Sequence, residues 1–291
     1  MTVVPRSRAS TLGDAPRLPL HERFVKGLGL TVMILGGLFP LAWMFITSIS
    51  AETDLQSLPL RYIPANPNFG NYGRVFSEQP FGTFFLNSLI VSSVSTVVAV
   101  VIAALAAYAL ARLNLKRRGL LMTLVVAFSM FPVVSLVVPL FRLMRGADLL
   151  NSYPALILPY TALSLPVAIL VLVAFFSSIP KDLEAAAMVD GCSRFGALWR
   201  VVVPLSAPGM VTAALLVFVN SWNEFLLALS FNTRETMRTV SVGVTLYQGE
   251  FSFPWPIISA AIIIAVVPVV TLIVIFQKRF VAGLTAGGVK A

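Results

Sequence analysis

The sequence predicts an all-α membrane protein with six transmembrane helices. Of its 291 residues, 58% are hydrophobic and 11% are charged, whereas about 25% of the residues in soluble proteins are charged. Six stretches are apolar over the ~20 residues that a helix needs to cross the hydrocarbon core of a bilayer. They lack the alternation of polar and apolar residues found in a transmembrane barrel, so helices are favoured. The predicted spans are residues 27–49, 83–111, 119–141, 154–178, 208–230 and 256–276.

Two kinds of residue interrupt the predicted spans: prolines and one carboxylate. Because proline lacks a backbone N–H, we expect the spans to kink or break at their internal prolines. The only charged side chain within a span is Glu224, and an unpaired carboxylate is costly there. We therefore expect Glu224 to face the bundle interior, a polar partner or water, as part of a polar cluster with Asn220, Ser221 and Asn223. The internal prolines are Pro40, Pro132, Pro139, Pro159, Pro166 and Pro268.

The distribution of lysine and arginine predicts the orientation of the chain. The two terminal segments and every second connection hold 15 of these residues, and the alternate connections hold 6. Positive charge is retained on the cytoplasmic side of a membrane, so both termini are predicted to be cytoplasmic. Residues 1–26 then form an N-terminal segment, 27–276 the membrane domain and 277–291 a cytoplasmic, glycine-containing tail, which is either flexible or ordered against a partner. This topology accounts for the net charge of +9, and no binding of nucleic acid is predicted.

The sequence contains no arrangement of residues typical of an enzyme. The single histidine, His21, has no His or Cys nearby with which to complete a metal site. The single cysteine, Cys192, excludes an intrachain disulfide. A glycine-rich loop of the GxxxxGK[ST] type is also missing, so ATP would have to be bound by another chain. We predict a non-catalytic protein with no metal and no cofactor of its own.

A polar segment between spans four and five, residues 179–206, is predicted to form a helix-turn-helix on the cytoplasmic side. Residues 184–190 are rich in alanine and favour a helix. Gly191 can adopt the positive φ that ends such a helix, and Ser193 can cap a second one.

The second helix of this segment presents an apolar face at helical spacing. The face can pack against the protein's own helices or the lipid interface, or it can dock into a groove on a soluble partner. It consists of Phe195, Leu198 and Trp199.

This segment resembles the EAA loop of ABC importer permeases. In that family the pattern is Glu-Ala-Ala, three or four residues, Gly, nine residues, and then Ile, any residue, Leu and Pro. The sequence matches with Glu184-Ala185-Ala186, Gly191 and Val201-x-Val203-Pro204, where valines replace Ile and Leu. Other segments are similar to the second membrane subunit of sugar importers of the maltose-permease type, and the similarity runs from about residue 27 to the C-terminus. These segments are "NFGNYGRVF", "FLNSLIVS", "SIPKDLEAAAMVDG", "NSWNEFLLAL" and "GLTAGGVK".

The resemblance implies the type I ABC importer permease fold, in a multi-pass protein of a bacterial or archaeal cytoplasmic membrane. Its implied partners are two copies of an ATP-binding subunit that holds ATP-Mg, a homologous second permease and an extracytoplasmic solute-binding protein. Residues 179–206, named here the coupling loop, would transmit closure of the ATPases as a switch between inward and outward openings. The residues implied in ATPase coupling are Glu184, Ala185, Ala186, Asp190, Gly191, Phe195, Leu198, Trp199 and Pro204.

Two further regions have candidate roles that follow from the chemistry of their residues, and the resemblance adds contact with the binding protein to the second. The polar cluster around Glu224 either packs between permease subunits, lines the translocation pathway or binds sugar directly. The connection 231–255 is expected to face outward, where it either reaches the binding protein or forms an aromatic belt at the membrane interface. Its candidate contact residues are Tyr247, Gln248, Gly249 and Glu250.

The predicted function is that of a permease subunit for ATP-driven uptake of a sugar, in particular a di- or oligosaccharide. A permease of the same superfamily for another polar solute is one alternative. An ion-coupled secondary transporter is the other, but it would need buried ionisable residues, and the spans supply only Glu224.

Overall fold

The computed structural model describes residues 20–55, 62–64, 66–249 and 252–288. All regular elements of these residues are helical, which confirms the predicted class. Four helices are long and apolar enough to cross a membrane, and there are up to six spans if each of two sharply bent helix pairs counts as one. The α-helices are α1 (Leu20–Ser48), α2 (Glu52–Leu55), α3 (Gly70–Glu78), α4 (Phe81–Arg112), α5 (Arg118–Ser129), α6 (Val133–Gly146), α7 (Tyr153–Ser178), α8 (Lys181–Val189), α9 (Arg194–Ala197), α10 (Val203–Leu205), α11 (Ala207–Asn223), α12 (Leu226–Phe231), α13 (Val240–Gly243) and α14 (Trp255–Gly288).

The predicted third span is broken instead of continuous. Its two halves, α5 and α6, meet at an angle of 91°. Pro132 immediately precedes α6 with an extended backbone, ψ 120°, and its missing N–H cannot continue a helix. The helices run on through the other five internal prolines, so the predicted break occurs only at Pro132.

The predicted fifth span, residues 208–230, is also interrupted. α11 ends at Asn223, and Glu224 takes an extended backbone conformation, ψ 127°. The chain then re-forms a helix as α12. The single carboxylate of the predicted spans therefore lies at a helix break, where free backbone N–H groups are available to it.

The last helix is longer than the predicted sixth span, because α14 continues to Gly288. Six of the twelve residues from 277 to 288 are good helix formers, and the three glycines among the others cost about 1 kcal/mol each relative to alanine. The part of the predicted tail that the structure describes is therefore helical.

Helices α4 and α7 form the centre of the fold and run parallel. At one end the Tyr153 hydroxyl donates a hydrogen bond of 2.9 Å to Asn87 Oδ1. At the other end Arg112 Nη2 donates a hydrogen bond of 2.9 Å to the carbonyl of Ile179. The end that contains Arg112 also carries residues 179–206 and is named here the coupling end; the end that contains Asn87 is the opposite end.

The packing between α4 and α7 depends on small side chains. Ala99, Ala103 and Ala107 of α4 are fully buried in one apolar cluster with Leu172 and Phe176 of α7. Alanine lets two helix backbones approach closely, which is how helices associate where the solvent is lipid. This cluster links the centre of the bundle to the coupling loop.

Candidate functional site

The coupling loop has the predicted helix-turn-helix structure. Helix α8 ends at Val189, and Gly191, the residue after its cap Asp190, takes a φ of +89°. The Gly191 N–H donates to Met188 O at 3.1 Å and the Cys192 N–H donates to Ala187 O at 2.9 Å, which is the pair of bonds of a Schellman motif. The prediction that Gly191 turns the chain is confirmed.

The second helix of the loop begins as predicted at Ser193. The Ser193 hydroxyl accepts a hydrogen bond of 3.1 Å from the Gly196 N–H, so it caps α9. The helix continues through a π-turn at Leu198–Val202 into α10. This part of the loop then leads into α11, with a bend of 82° between Arg194–Leu205 and Ala207–Asn223.

Glu184 lies inside the chain instead of on the exposed surface of the loop. The Tyr108 hydroxyl donates a hydrogen bond to Glu184 Oε1, and Arg112 Nε lies 3.4 Å from Glu184 Oε2. The side chains of Arg112 and Glu184 are 3% and 10% exposed. Because Tyr108 and Arg112 belong to the last turns of α4, these contacts fasten α8 of the coupling loop to the centre of the bundle.

Only part of the predicted apolar face of the loop is exposed in the structure. Leu198 is buried in the central cluster and Trp199 packs against it, so Leu198 is not available to a second chain. Phe195 remains 62% exposed, and Val189 at the end of α8 is 87% exposed. The inward part of the face coincides with the π-turn, whose residues Leu198 and Val202 are both buried. The other predicted coupling residues, Ala185, Ala186, Asp190, Gly191 and Pro204, are exposed.

Glu224 is hydrogen-bonded through both carboxylate oxygens. Oε2 accepts from the Tyr160 hydroxyl at 2.6 Å and from the Ala228 N–H at 3.1 Å. Oε1 accepts from the Leu227 N–H at 2.8 Å. The carboxylate thus bonds the first N–H groups of α12 and joins α7 to the break after α11. The expectation that Glu224 has polar partners is confirmed.

A cavity of about 360 Å³ opens beside Glu224, between the bend of α5 and α6 and the helices α7 and α11. Of the predicted polar cluster, Asn220, Ser221 and Glu224 line it, and Asn223 is exposed but does not. The structure adds Tyr160 and Ser164 from α7 to its polar wall. We name this space the span-five cavity.

The connection 231–255 is held against the opposite end of α4. Asn87 Nδ2 donates to the carbonyls of Thr236 and Arg238, both at 2.9 Å. Ser88 Oγ accepts a hydrogen bond of 2.8 Å from the Val240 N–H. Two polar residues of the apolar "FLNSLIVS" segment therefore fix this connection in place.

Tyr247, one of the candidate contact residues of this connection, is buried. Its hydroxyl donates to the carbonyl of Val75 in α3. Burial, together with the Glu78 carboxylate, raises the pKa of the Tyr247 phenol well above its usual value, so it stays a donor. Gln248 and Gly249 are exposed, and Glu250 lies outside the described residues.

The residues that hold the predicted ones in place do not stand out in the sequence. Tyr108 and Tyr160 lie within apolar spans, and Arg112 is one of the charges at a span end. A buried tyrosine hydroxyl needs a hydrogen-bond partner, so Tyr108 and Tyr160 signalled polar contacts within the bundle. Their partners lie 76 and 64 residues away along the chain, and no local pattern identifies them.

A protein-family model described as "Binding-protein-dependent transport system inner membrane component" matches residues 99–285. The match contains the coupling loop, the span-five cavity and both partners of Glu184. The chain is 22% identical to a solved chain of a bacterial ABC transporter involved in the import of the acidic polysaccharide alginate. The two align over 91% of this chain and 100% of the other with a TM-score of 0.79. At this identity the likeness shows the shared fold.

Characterised relatives align over almost their whole length. The chain is 57% identical to the sulfoquinovosyl glycerol transport system permease protein SmoH of Agrobacterium fabrum, over 97% of this chain and 99% of that one. It is 40% identical to the trehalose/maltose transport system permease protein MalG of Thermococcus litoralis, over 92% and 97%. It is 41% identical to the trehalose transport system permease protein SugB of Mycobacterium tuberculosis, over 89% and 95%.

The burial of the Arg112–Glu184 pair predicts a non-additive effect on stability. Arg112→Leu leaves the Glu184 carboxylate buried without a cation, and we expect it to destabilise the chain by about 3–5 kcal/mol. The double variant Arg112→Leu/Glu184→Leu removes both charges and should unfold near the wild-type midpoint. The measurements are the thermal midpoint in detergent and the rate of tryptic cleavage in the coupling loop. Equal stability of the single variant and the wild type would show that the pair does not hold the loop.

Proposed function

The chain belongs to the family of binding-protein-dependent transport system inner membrane components, and from this we propose that it is a permease subunit of an ATP-driven sugar importer. It is a multi-pass protein of the inner membrane and supplies the path for the solute. Hydrolysis of ATP belongs to partner chains in this proposal. The relatives named for sulfoquinovosyl glycerol, trehalose and maltose support a sugar as the solute.

The observation that carries the proposal is the construction of the coupling loop. Its tip exposes Val189 and Phe195 on either side of the tight turn at Gly191. Two large apolar side chains beside a rigid turn are an unfavourable surface for water and a suitable one for a groove on another protein. Glu184, the fourth residue of α8, anchors the same segment to α4 through Arg112.

The contacts of the coupling loop with α4 and α11 would transmit movement of a docked subunit to the membrane helices. The tip would dock an ATP-binding subunit that holds ATP-Mg, with a second copy serving the homologous second permease. Movement of the tip would be passed to α4 through Glu184 and Arg112, and to α11 through the π-turn and its buried Leu198. Rigid-body displacement of packed helices is the expected response, because a close-packed interior does not deform continuously.

We assign the coupling end to the cytoplasm and the opposite end to the extracytoplasmic side. The two terminal segments and the connections on the side of the coupling end hold 15 lysines and arginines, against 6 in the other connections, and this difference supports the assignment. The opposite end would receive the solute-binding protein on the exposed part of the connection 231–255. Gln248 and Gly249 lie there with the stacked rings of Phe253 and Trp255, whose centroids are 5.7 Å apart.

The turn at Gly191 provides the direct test of the coupling role. Gly191→Val places a β-branched side chain at a φ of +89°, a conformation that is strained for such residues. We expect membrane insertion to persist and ATP-dependent uptake of sugar to fall at least tenfold. Gly196→Ala is the matched control, because Gly196 lies in the same loop without a positive φ. Normal uptake by Gly191→Val would exclude coupling through this turn.

The orientation can be tested with single cysteines in a Cys192→Ser background. Glu235 is exposed at the opposite end, and Lys116 is exposed at the coupling end. An impermeant maleimide should label Glu235→Cys, but not Lys116→Cys, in intact cells. Inverted vesicles should give the reverse pattern. Labelling of Lys116→Cys in intact cells would overturn the assignment of the two ends.

A further inference from the structure

We propose that α4 transmits docking of the solute-binding protein at the opposite end to the coupling loop, and that Asn87 and Ser88 are the positioning residues through which the connection 231–255 acts on this helix. The inference rests on the proposed function and on its assignment of this connection to the binding protein. It gives α4 a role beyond packing at the centre of the bundle.

The first argument is that buried hydrogen bonds attach the connection to α4. The side chains of Asn87 and Ser88 are each 2% exposed. Asn87 Nδ2 donates to the carbonyls of Thr236 and Arg238. Ser88 Oγ accepts from the Val240 N–H. All three partners are backbone groups of the connection, and breaking a buried hydrogen bond leaves its groups unsatisfied. Separating the connection from α4 is therefore unfavourable.

The second argument is steric. A side chain at Gly243, in α13 of the connection, would overlap the ring of Phe84 on α4. The ring of Phe84 is fully buried and shares one apolar cluster with Val240 and Tyr247 of the connection. A shift of the connection relative to α4 would open this close-packed interface, so movement of the two together costs less.

The third argument is the continuity of α4. Among the described helices long enough to cross a membrane, α4 alone contains no proline. The other route to the coupling loop, through α12 and α11, is interrupted at Glu224. Sharp kinks in helices occur mainly at prolines and similar breaks. We therefore expect α4 to move as one body over the 25 residues from Asn87 to Arg112, which is about 38 Å at 1.5 Å per residue.

The coupling end of the same helix carries the second attachment. Tyr108 and Arg112, in the last turns of α4, contact Glu184 of the coupling loop. One rigid element thus holds the connection at one end and the coupling loop at the other, and such an element can carry coupling between distant sites. Coupling between two binding sites is reciprocal. Closure of the ATP-binding subunits would therefore act on the connection through α4 in the same way.

The test uses the assembled importer, with its ATP-binding subunits and second permease, in lipid nanodiscs. Its solute-binding protein is added at saturation, loaded with trehalose or with sulfoquinovosyl glycerol, and the rate of ATP hydrolysis is compared with the basal rate. We expect Asn87→Ala to assemble and to keep the basal rate of the wild type. Its stimulation by the binding protein should fall about fivefold or more, the lower end of the usual coupling between sites.

Two further variants make the test specific. Ser88→Ala removes only the bond from the Val240 N–H, so it should lower the stimulation in the same direction but less, and it decides the matter if Asn87→Ala does not assemble. Ser92→Ala is the matched control and should be stimulated like the wild type. Ser92 is also buried on α4, at 1% exposed, but its side-chain oxygen has no hydrogen bond to the connection.

A second measurement separates transmission from docking. The affinity of the loaded binding protein for the complex is measured with and without a non-hydrolysable ATP analogue. In the wild type and in Ser92→Ala the analogue should change this affinity, because coupling is reciprocal. In Asn87→Ala the change should disappear, while the affinity without the analogue stays that of the wild type.

The outcomes distinguish the inference from the function on which it rests. If the wild type is stimulated and both Asn87→Ala and Ser88→Ala behave like Ser92→Ala, the inference is wrong and the function stands. If Asn87→Ala only weakens docking, equally with and without the analogue, and is fully stimulated at higher concentrations of binding protein, the inference is also wrong. If neither loaded form stimulates the wild-type complex, the proposed function and the inference are both contradicted.

Discussion

The buried contact between Glu184 and Arg112 is the interaction on which the coupling loop depends. Taking two charges out of water costs several kcal/mol for each ion, and the attraction between them offsets this only where the geometry is fixed. Tyr108 and the carbonyl of Ile179 supply the additional hydrogen bonds that fix it. A segment of the loop that could have been a loose connection is thereby attached to the end of α4.

The same requirement, that buried polar groups find partners, shapes the opposite half of the bundle. Glu224 ends α11 because its carboxylate bonds the first N–H groups of α12 and the hydroxyl of Tyr160. The bend at Pro132 moves α5 and α6 apart in the same region. The two breaks leave a cavity with a polar wall in an otherwise apolar bundle, and non-helical backbone at membrane depth is tolerated where it lines such a space.

The features that follow from local chemistry were predictable from the sequence, and those that depend on distant contacts were not. Gly191 and Ser193 act on the backbone within a few residues of themselves, so the helix-turn-helix could be placed residue by residue. The burial of Glu184 depends on residues of α4 more than 70 positions away, and the division of the Phe195 and Leu198 face depends on the core beneath it. Tyr247 looked like a surface aromatic because its partner, Val75, lies on a helix that covers it only in the folded chain.

We expect the exposed tip of the coupling loop to dock an ATP-binding subunit. The most direct measurement is native mass spectrometry of the tagged chain purified from its own membranes, compared with the Val189→Asp/Phe195→Asp variant. We expect the wild type to carry two copies of an ATP-binding subunit and one second permease. The variant should retain the second permease and lose the copy of the ATP-binding subunit that docks on this chain, because charged groups cannot enter an apolar groove without cost. A wild-type chain isolated alone or as a homo-oligomer, or a variant that keeps both copies, would show that the tip does not dock an ATP-binding subunit.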